Sequence, residues 1–181
     1  MTEKPLLSRT RETGSIGELG IVQRVEATAG ERAAIAADLK LISVDSLAAD
    51  LDIRRGAGGL IVVDGVVKAE VVHTCVVSLD PAPQSINEPI HVTLATAGSK
   101  EAPPQPKPGA EIMVDPDLDQ PDVVAGPAID LGQIVLEHFT LALNPYPRAP
   151  GAKLPPEAPI ATDQPPDSPF AVLAGLAQRK P

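Results

Sequence analysis

The chain has 181 residues and a formal charge of −9, with 43% apolar side chains but only Phe139, Phe170 and Tyr146 aromatic. That length suits one ordinary domain with tails, and its core must be assembled from Val, Leu, Ile and Ala. Single-stranded RNA is gripped by stacking rings and phosphate backbones by clustered cations, so this is a poor kit for nucleic acid, and the negative field favours basic partners. One cysteine excludes an internal disulfide. Leu6-Leu7 is too short for a signal-peptide core, and no run approaches the ~18 apolar residues of a membrane span. The expected setting is the cytoplasm, away from membranes.

Residues 1–16 read as a flexible N-terminus. Leu19–Ala27 is rich enough in Ile and Val for a first strand. Thr28-Ala-Gly-Glu31 has the form of a capping box, followed by a helix with Ile35, Leu39 and Ile42 on one side and Glu31, Arg32 and Asp38 in water. From Val44 the period changes to two, as Leu47, Ala49, Leu51 and Ile53 alternate with Ala48, Asp50, Asp52 and Arg54. Gly56–Gly59 turns the chain. Leu60–Val63 and Val66–Leu79 flank Asp64-Gly65, a two-residue hairpin signal, and Ile90, Val92 and Leu94 form a further strand after a Pro81-Ala-Pro83 turn.

The next stretch, 99–127, is an acidic, Pro-rich insertion expected to be solvated and partly disordered; Pro108–Pro147 holds no Lys or Arg. Asp130 caps a second helix through Leu143, with Gln133 in the capping-box position and Leu131, Ile134, Val135, His138 and Leu141 on one face. A Pro-rich tail covers 146–181. Within it Ser168-Pro169 opens a short helix whose Phe170, Leu173 and Leu176 form an anchor, for a partner or for the chain's own domain. The expected fold class is α+β: an antiparallel β-meander, open or curled toward a barrel, packed with two helices. The single domain spans 17–98 and 128–145.

Candidate chemistry is sparse. Alternation puts His73 and Cys75 on one apolar strand face, but no cationic group or helix N-terminus that would activate a thiol is evident, and Cys75 reads as a small core hydrophobe. His73, His91 and His138 are too scattered for a zinc site. Asp115-Pro-Asp117-Leu-Asp119 lacks the sixth-position glycine and terminal glutamate of a calcium loop. Gly56–Gly59 is followed by neither Lys-Ser/Thr nor a helix start, so it is no phosphate cradle. No cofactor, metal or catalytic residue is expected.

Five short pieces in order carry a resemblance: Val72-His-Thr-Cys-Val-Val-Ser-Leu-Asp-Pro81, Asn87-Glu-Pro89, Ile129-Asp-Leu-Gly-Gln133, Leu141-Ala-Leu-Asn-Pro-Tyr-Pro-Arg148 and Ser168-Pro-Phe-Ala-Val-Leu173. Together the chain from about Leu19 onward resembles the YceD-like family, the large ribosomal RNA subunit accumulation proteins, in its alphaproteobacterial form. Cys75, Leu79, Pro81, Asp130, Leu131 and Pro147 are its signature positions here. The resemblance implies a cytoplasmic factor needed for 23S ribosomal RNA to accumulate, with no established enzymatic activity. Many relatives carry Cys-x-x-Cys, some with further cysteines after the late helix. Here Cys75 matches the first cysteine, Ser78 stands at the second and Pro147–Lys153 has none, so packing must replace any metal those relatives hold. The expected role is a non-catalytic acidic binding protein for a basic ribosomal or rRNA-processing protein, touching precursor rRNA only indirectly. The alternatives are a direct RNA-binding maturation factor, with Arg24, Arg54, Arg55 and Lys68 gathered into one patch, and a cysteine-dependent enzyme.

Overall fold

The computed structural model describes residues 5–97, 99–102, 120–124 and 126–153. The first strand, β1 (Thr10–Glu12), is followed by β2 (Ile21–Glu26) and then helix α1 (Ala29–Asp38). The capping box forms: the Glu31 N–H donates to the Thr28 hydroxyl, and the Thr28 N–H donates to the Glu31 carboxylate at 2.8 Å. Ile35 is fully buried and Leu39 partly so. Ile42 is half exposed, contrary to the periodic reading, because the helix stops at Asp38 and Lys40 turns into left-handed backbone (φ 55°). Ile42 is thus out of helical phase, and its N–H donates to the Val72 carbonyl.

Strand β3 (Ser43–Arg55) follows the period-two pattern, with Leu47, Ala49, Leu51 and Ile53 all buried. It pairs antiparallel with β2 on one side and with β4 (Ile61–Thr74) on the other, across the Gly56–Gly59 turn. No hairpin occurs at Asp64-Gly65. Instead β4 runs straight through, with Asp64 opposite Asp52 and Gly65 opposite Leu51. A Cβ on Gly65 would lie 2.4 Å from the Asp50 carbonyl oxygen and 2.7 Å from a Leu51 methyl. The glycine is there for close approach inside a sheet, a use of glycine that looks the same in sequence as a turn signal.

The reversal comes later, at Cys75–Asp80, so β4 ends at Thr74 and β5 (Pro81–Thr96) begins at the prolines expected to form a turn. The β4/β5 register is unbroken from Ile61↔Leu94 to Thr74↔Pro81. Pro81, Pro83 and Pro89 share one parity in β5, so their missing N–H groups fall on the same side of the strand. That side is the edge of β5 that faces away from β4, and β6 (Asp122–Val124) covers it only beside Leu94–Thr96. Prolines are tolerated in strands where the ladder does not need their donor.

The sheet has the order β2-β3-β4-β5-β6 and is open, so the barrel is not realised; consecutive strands from β2 to β5 form the expected meander. Strand β6 lies inside the 99–127 stretch read as insertion, of which 103–119 and 125 are outside the described residues. Three residues are too few to show a period. The final strand β7 (Ala128–Asp130) leads into helix α2 (Leu131–Leu141) and pairs with β1 in a second, two-stranded sheet. Residues 5–16 are accordingly part of the domain, with Leu7 and Ile16 each 1% exposed in the core. One face of the large sheet packs Val63, Val67, Val71, Ile86 and Ile90 against Ile35, Val135 and Phe139. Each such aliphatic side chain contributes roughly 1.5–3 kcal/mol on burial. The opposite face is where Arg24, Asp50, Asp64 and Lys68 stand.

In α2 the buried side is Leu131, Val135 and Phe139, while Leu141, expected on that face, is 77% exposed. The apolar face is set by the i, i+4, i+8 positions, and Leu141 lies about 200° around from Phe139 at 100° per residue. The terminal Phe170, Leu173 and Leu176 anchor lies outside the described residues.

Candidate functional site

Four of the six signature positions meet at one end of the long hairpin. Cys75 follows β4, its N–H donates to the Asp80 carbonyl at 2.8 Å, and the Leu79 N–H returns to the Cys75 carbonyl at 3.1 Å. Leu79 closes this turn in left-handed backbone (φ 65°), a region a branched side chain rarely occupies, and its side chain stands out into solvent. Pro81 starts β5. The Pro147 carbonyl accepts the Val76 N–H at 2.9 Å, so the tail after α2 is fastened to the turn.

Cys75 is fully buried, and its Sγ accepts the N–H groups of Val77 and Ser78, both at 3.4 Å. The Ser78 side chain, the Ser78 N–H, and the N–H groups of Ala149 and Val77 together outweigh burial and bring the thiol down to about 6. None of these donors is a cation or a helix end: they are the Ser78 hydroxyl, the turn amides of Val77 and Ser78 and a tail amide at Ala149, brought together only once the chain has reversed. A low pKa gives nucleophilic character, but reaction also needs access, and this sulfur is closed to solvent. The donor set does not fit a zinc site: one sulfur, one serine hydroxyl, and a tail from Pro147 to Lys153 with no thiol, imidazole or carboxylate. Among the described residues no group of three or more His, Cys, Asp or Glu side chains is placed to hold a metal ion.

Behind the turn, His73 is the buried polar side chain of the inner face. Its Nε2 lies 2.7 Å from Gln84 Oε1, which also accepts the Asn144 N–H at 3.1 Å, and Gln84 Nε2 donates to the Ala142 carbonyl at 2.9 Å. An amide oxygen only accepts, so His73 carries its proton on Nε2. This relay ties β4 and β5 to the end of α2, and Gln84 gave no signal in the sequence beyond its alternation with Ala82 and Ile86.

Asp130 and Leu131, the other two signature positions, lie at the opposite end of α2. One Asp130 oxygen accepts the N–H groups of Arg9 (2.7 Å), Gly132 (2.9 Å) and Gln133 (3.3 Å), and the other accepts the Ser8 hydroxyl at 2.6 Å. Burial pushes this carboxyl up, but those four donors prevail and hold it below its usual value. The Leu131 N–H donates to the Arg9 carbonyl. A Cβ on Gly132 would meet the Leu7 carbonyl and the Ser8 Cα, both at 2.8 Å. Glycine in the first turn of a helix is costly, and that cost was the available clue to a crossing segment. Arg9 then reaches Glu31 with two bonds of 2.8 and 2.9 Å, joining both helix caps through the N-terminal segment.

Along the side of α2, a cleft of about 250 Å³ opens toward β5, lined by His91, Thr93, Asp122, Glu137 and His138 among others. His91 Nδ1 donates to the Asp64 carboxylate, which also accepts the Arg54 guanidinium. No helix among the described residues is long and apolar enough to cross a membrane.

These features define an α+β domain whose signature residues hold turns, caps and a tail in place. Comparison with protein-family models matches residues 63–177 to the family described as Large ribosomal RNA subunit accumulation protein YceD. The match takes in well over half of the chain, and the chain belongs to that family. Its description ties the family to accumulation of large-subunit ribosomal RNA. Searches of curated proteins and of solved structures each give no match.

Proposed function

We propose that this protein serves large-subunit biogenesis as a non-catalytic acidic binding protein, and that its direct partner is a basic ribosomal protein or rRNA-processing factor. The observation that carries this reading is how the arginines are spent. Arg9 is bound by Glu31, Arg24 by Asp50 and Glu26, and Arg54 by Asp64. Arg55 turns to the backbone carbonyls of Ile16 and Thr13. Of the four cations that would have to gather into a phosphate-binding patch, three are therefore committed within the protein, and the net charge is −9. Phosphate contact needs cations free to displace counterions, whereas a basic protein segment is drawn by the surplus carboxylates.

The test is capture of partners by the tagged protein from native lysate, with and without ribonuclease. At least one basic large-subunit protein is expected to stay bound after digestion. If every large-subunit component is lost, the protein contacts RNA directly and this reading fails.

A further inference from the structure

The junction that fastens the tail to the Cys75 turn carries an uncovered apolar surface. Val76, Leu79 and Tyr146 are 52%, 76% and 73% exposed, and the Val76 N–H bond to Pro147 brings the two backbones that bear them together. Leu79 is aimed outward by a left-handed conformation that a leucine adopts at a cost, so this side chain is held out rather than left out. We propose that the chain's own segment 168–177, with Phe170, Leu173 and Leu176, docks on this surface in cis.

Three observations select that occupant. The described chain ends at Lys153, four residues beyond Ala149, whose N–H faces the Cys75 sulfur. From there to Ser168 lie 14 residues, enough chain to reach back to the junction, and the tether makes docking there an intramolecular event. Second, Phe170, Leu173 and Leu176 recur at the three-residue spacing that aligns side chains along one side of a helix, after a Ser-Pro start, and such a short helix forms only when docked. Third, the family match runs from Val63 to residue 177: it includes the Cys75 turn, Tyr146 and the terminal segment, and stops one residue after Leu176.

The protein supplies its own reporter, since Tyr146 is its sole tyrosine and it has no tryptophan. Acrylamide quenching of tyrosine emission in the purified 181-residue chain is compared with the variant F170S/L173S/L176S. Docking in cis predicts that Tyr146 is shielded in the native chain, that shielding is lost in the variant, and that both results are independent of protein concentration. A second variant, L79S, is expected to lose shielding with residues 168–177 unaltered. Equal quenching of native and variant chains overturns the proposal. Shielding that disappears on dilution overturns it too, by making a second copy the occupant. Both readouts use protein without partners, so they stand or fall separately from the choice between a protein and an RNA partner.

Discussion

At the scale of single residues, the most informative positions are those where a small or charged group is demanded by what crosses it. Gly65 sits where the Asp50 carbonyl leaves no room for a Cβ. Gly65→Ala is therefore expected to cost about 1–3 kcal/mol, the range for forcing atoms into packed structure, whereas Gly17→Ala, with nothing within reach, should cost far less. Urea unfolding of the two variants checks this. Glu31 offers a pH test. Its bonds from Arg9, and after them those from Thr28, outweigh the cost of burial and hold its carboxyl down to about 2, against 4.5 for the free group. A depressed carboxyl stabilises the folded state in full above about 4.5 and loses that contribution as pH falls toward 2. The melting temperature should drop through that window, and Glu31→Gln should shallow the drop while lowering stability at neutral pH. An unaltered acid slope in the variant would show that other carboxylates govern the transition.

At the scale of elements, the period of the apolar residues was enough to find α1, α2, the strand from Ser43 to Arg55 and the alternating inner face of β4, because each is long enough to repeat its pattern. What could not be read was where long elements stop and what crosses them. Asp64-Gly65 carries a turn dipeptide, yet strand pairing on both flanks overrides it. Pro81 and Pro83 look like breakers, yet the side of β5 they face asks for no donor. At the candidate site, Cys75 was legible as buried, but the amides converging on its sulfur come from residues two, three and 74 positions away, the last of them depending on the tail folding back. The phase of α2 makes a direct comparison possible. Phe139→Ala should cost about 3–5 kcal/mol as a buried aromatic truncation, while Leu141→Ser should stay within about 0.5 kcal/mol, both read by chemical denaturation. The reverse order would mean that α2 is rotated about its axis.

At the scale of the whole molecule, the domain begins earlier than composition alone implies. Residues 5–16 close the small sheet, cap α2 and bury Leu7 and Ile16. A chain that starts at Gly17 would lose the burial of those two side chains, roughly 1.5–3 kcal/mol each, together with the donors to Asp130. Its expected behaviour is a broadened, lower thermal transition followed by circular dichroism; a transition as sharp and as high as that of the full chain would make the segment dispensable. The pairing of Thr10 with Asp130 has a further consequence for synthesis. Strands β2 to β5 each bond to the next one in sequence, so the meander can assemble as it leaves the ribosome. The first strand must wait, unpaired, until more than a hundred further residues have been made. A nascent chain of this protein therefore carries an open seam for most of its translation, and the arrival of Asp130 and α2 is the event that closes it.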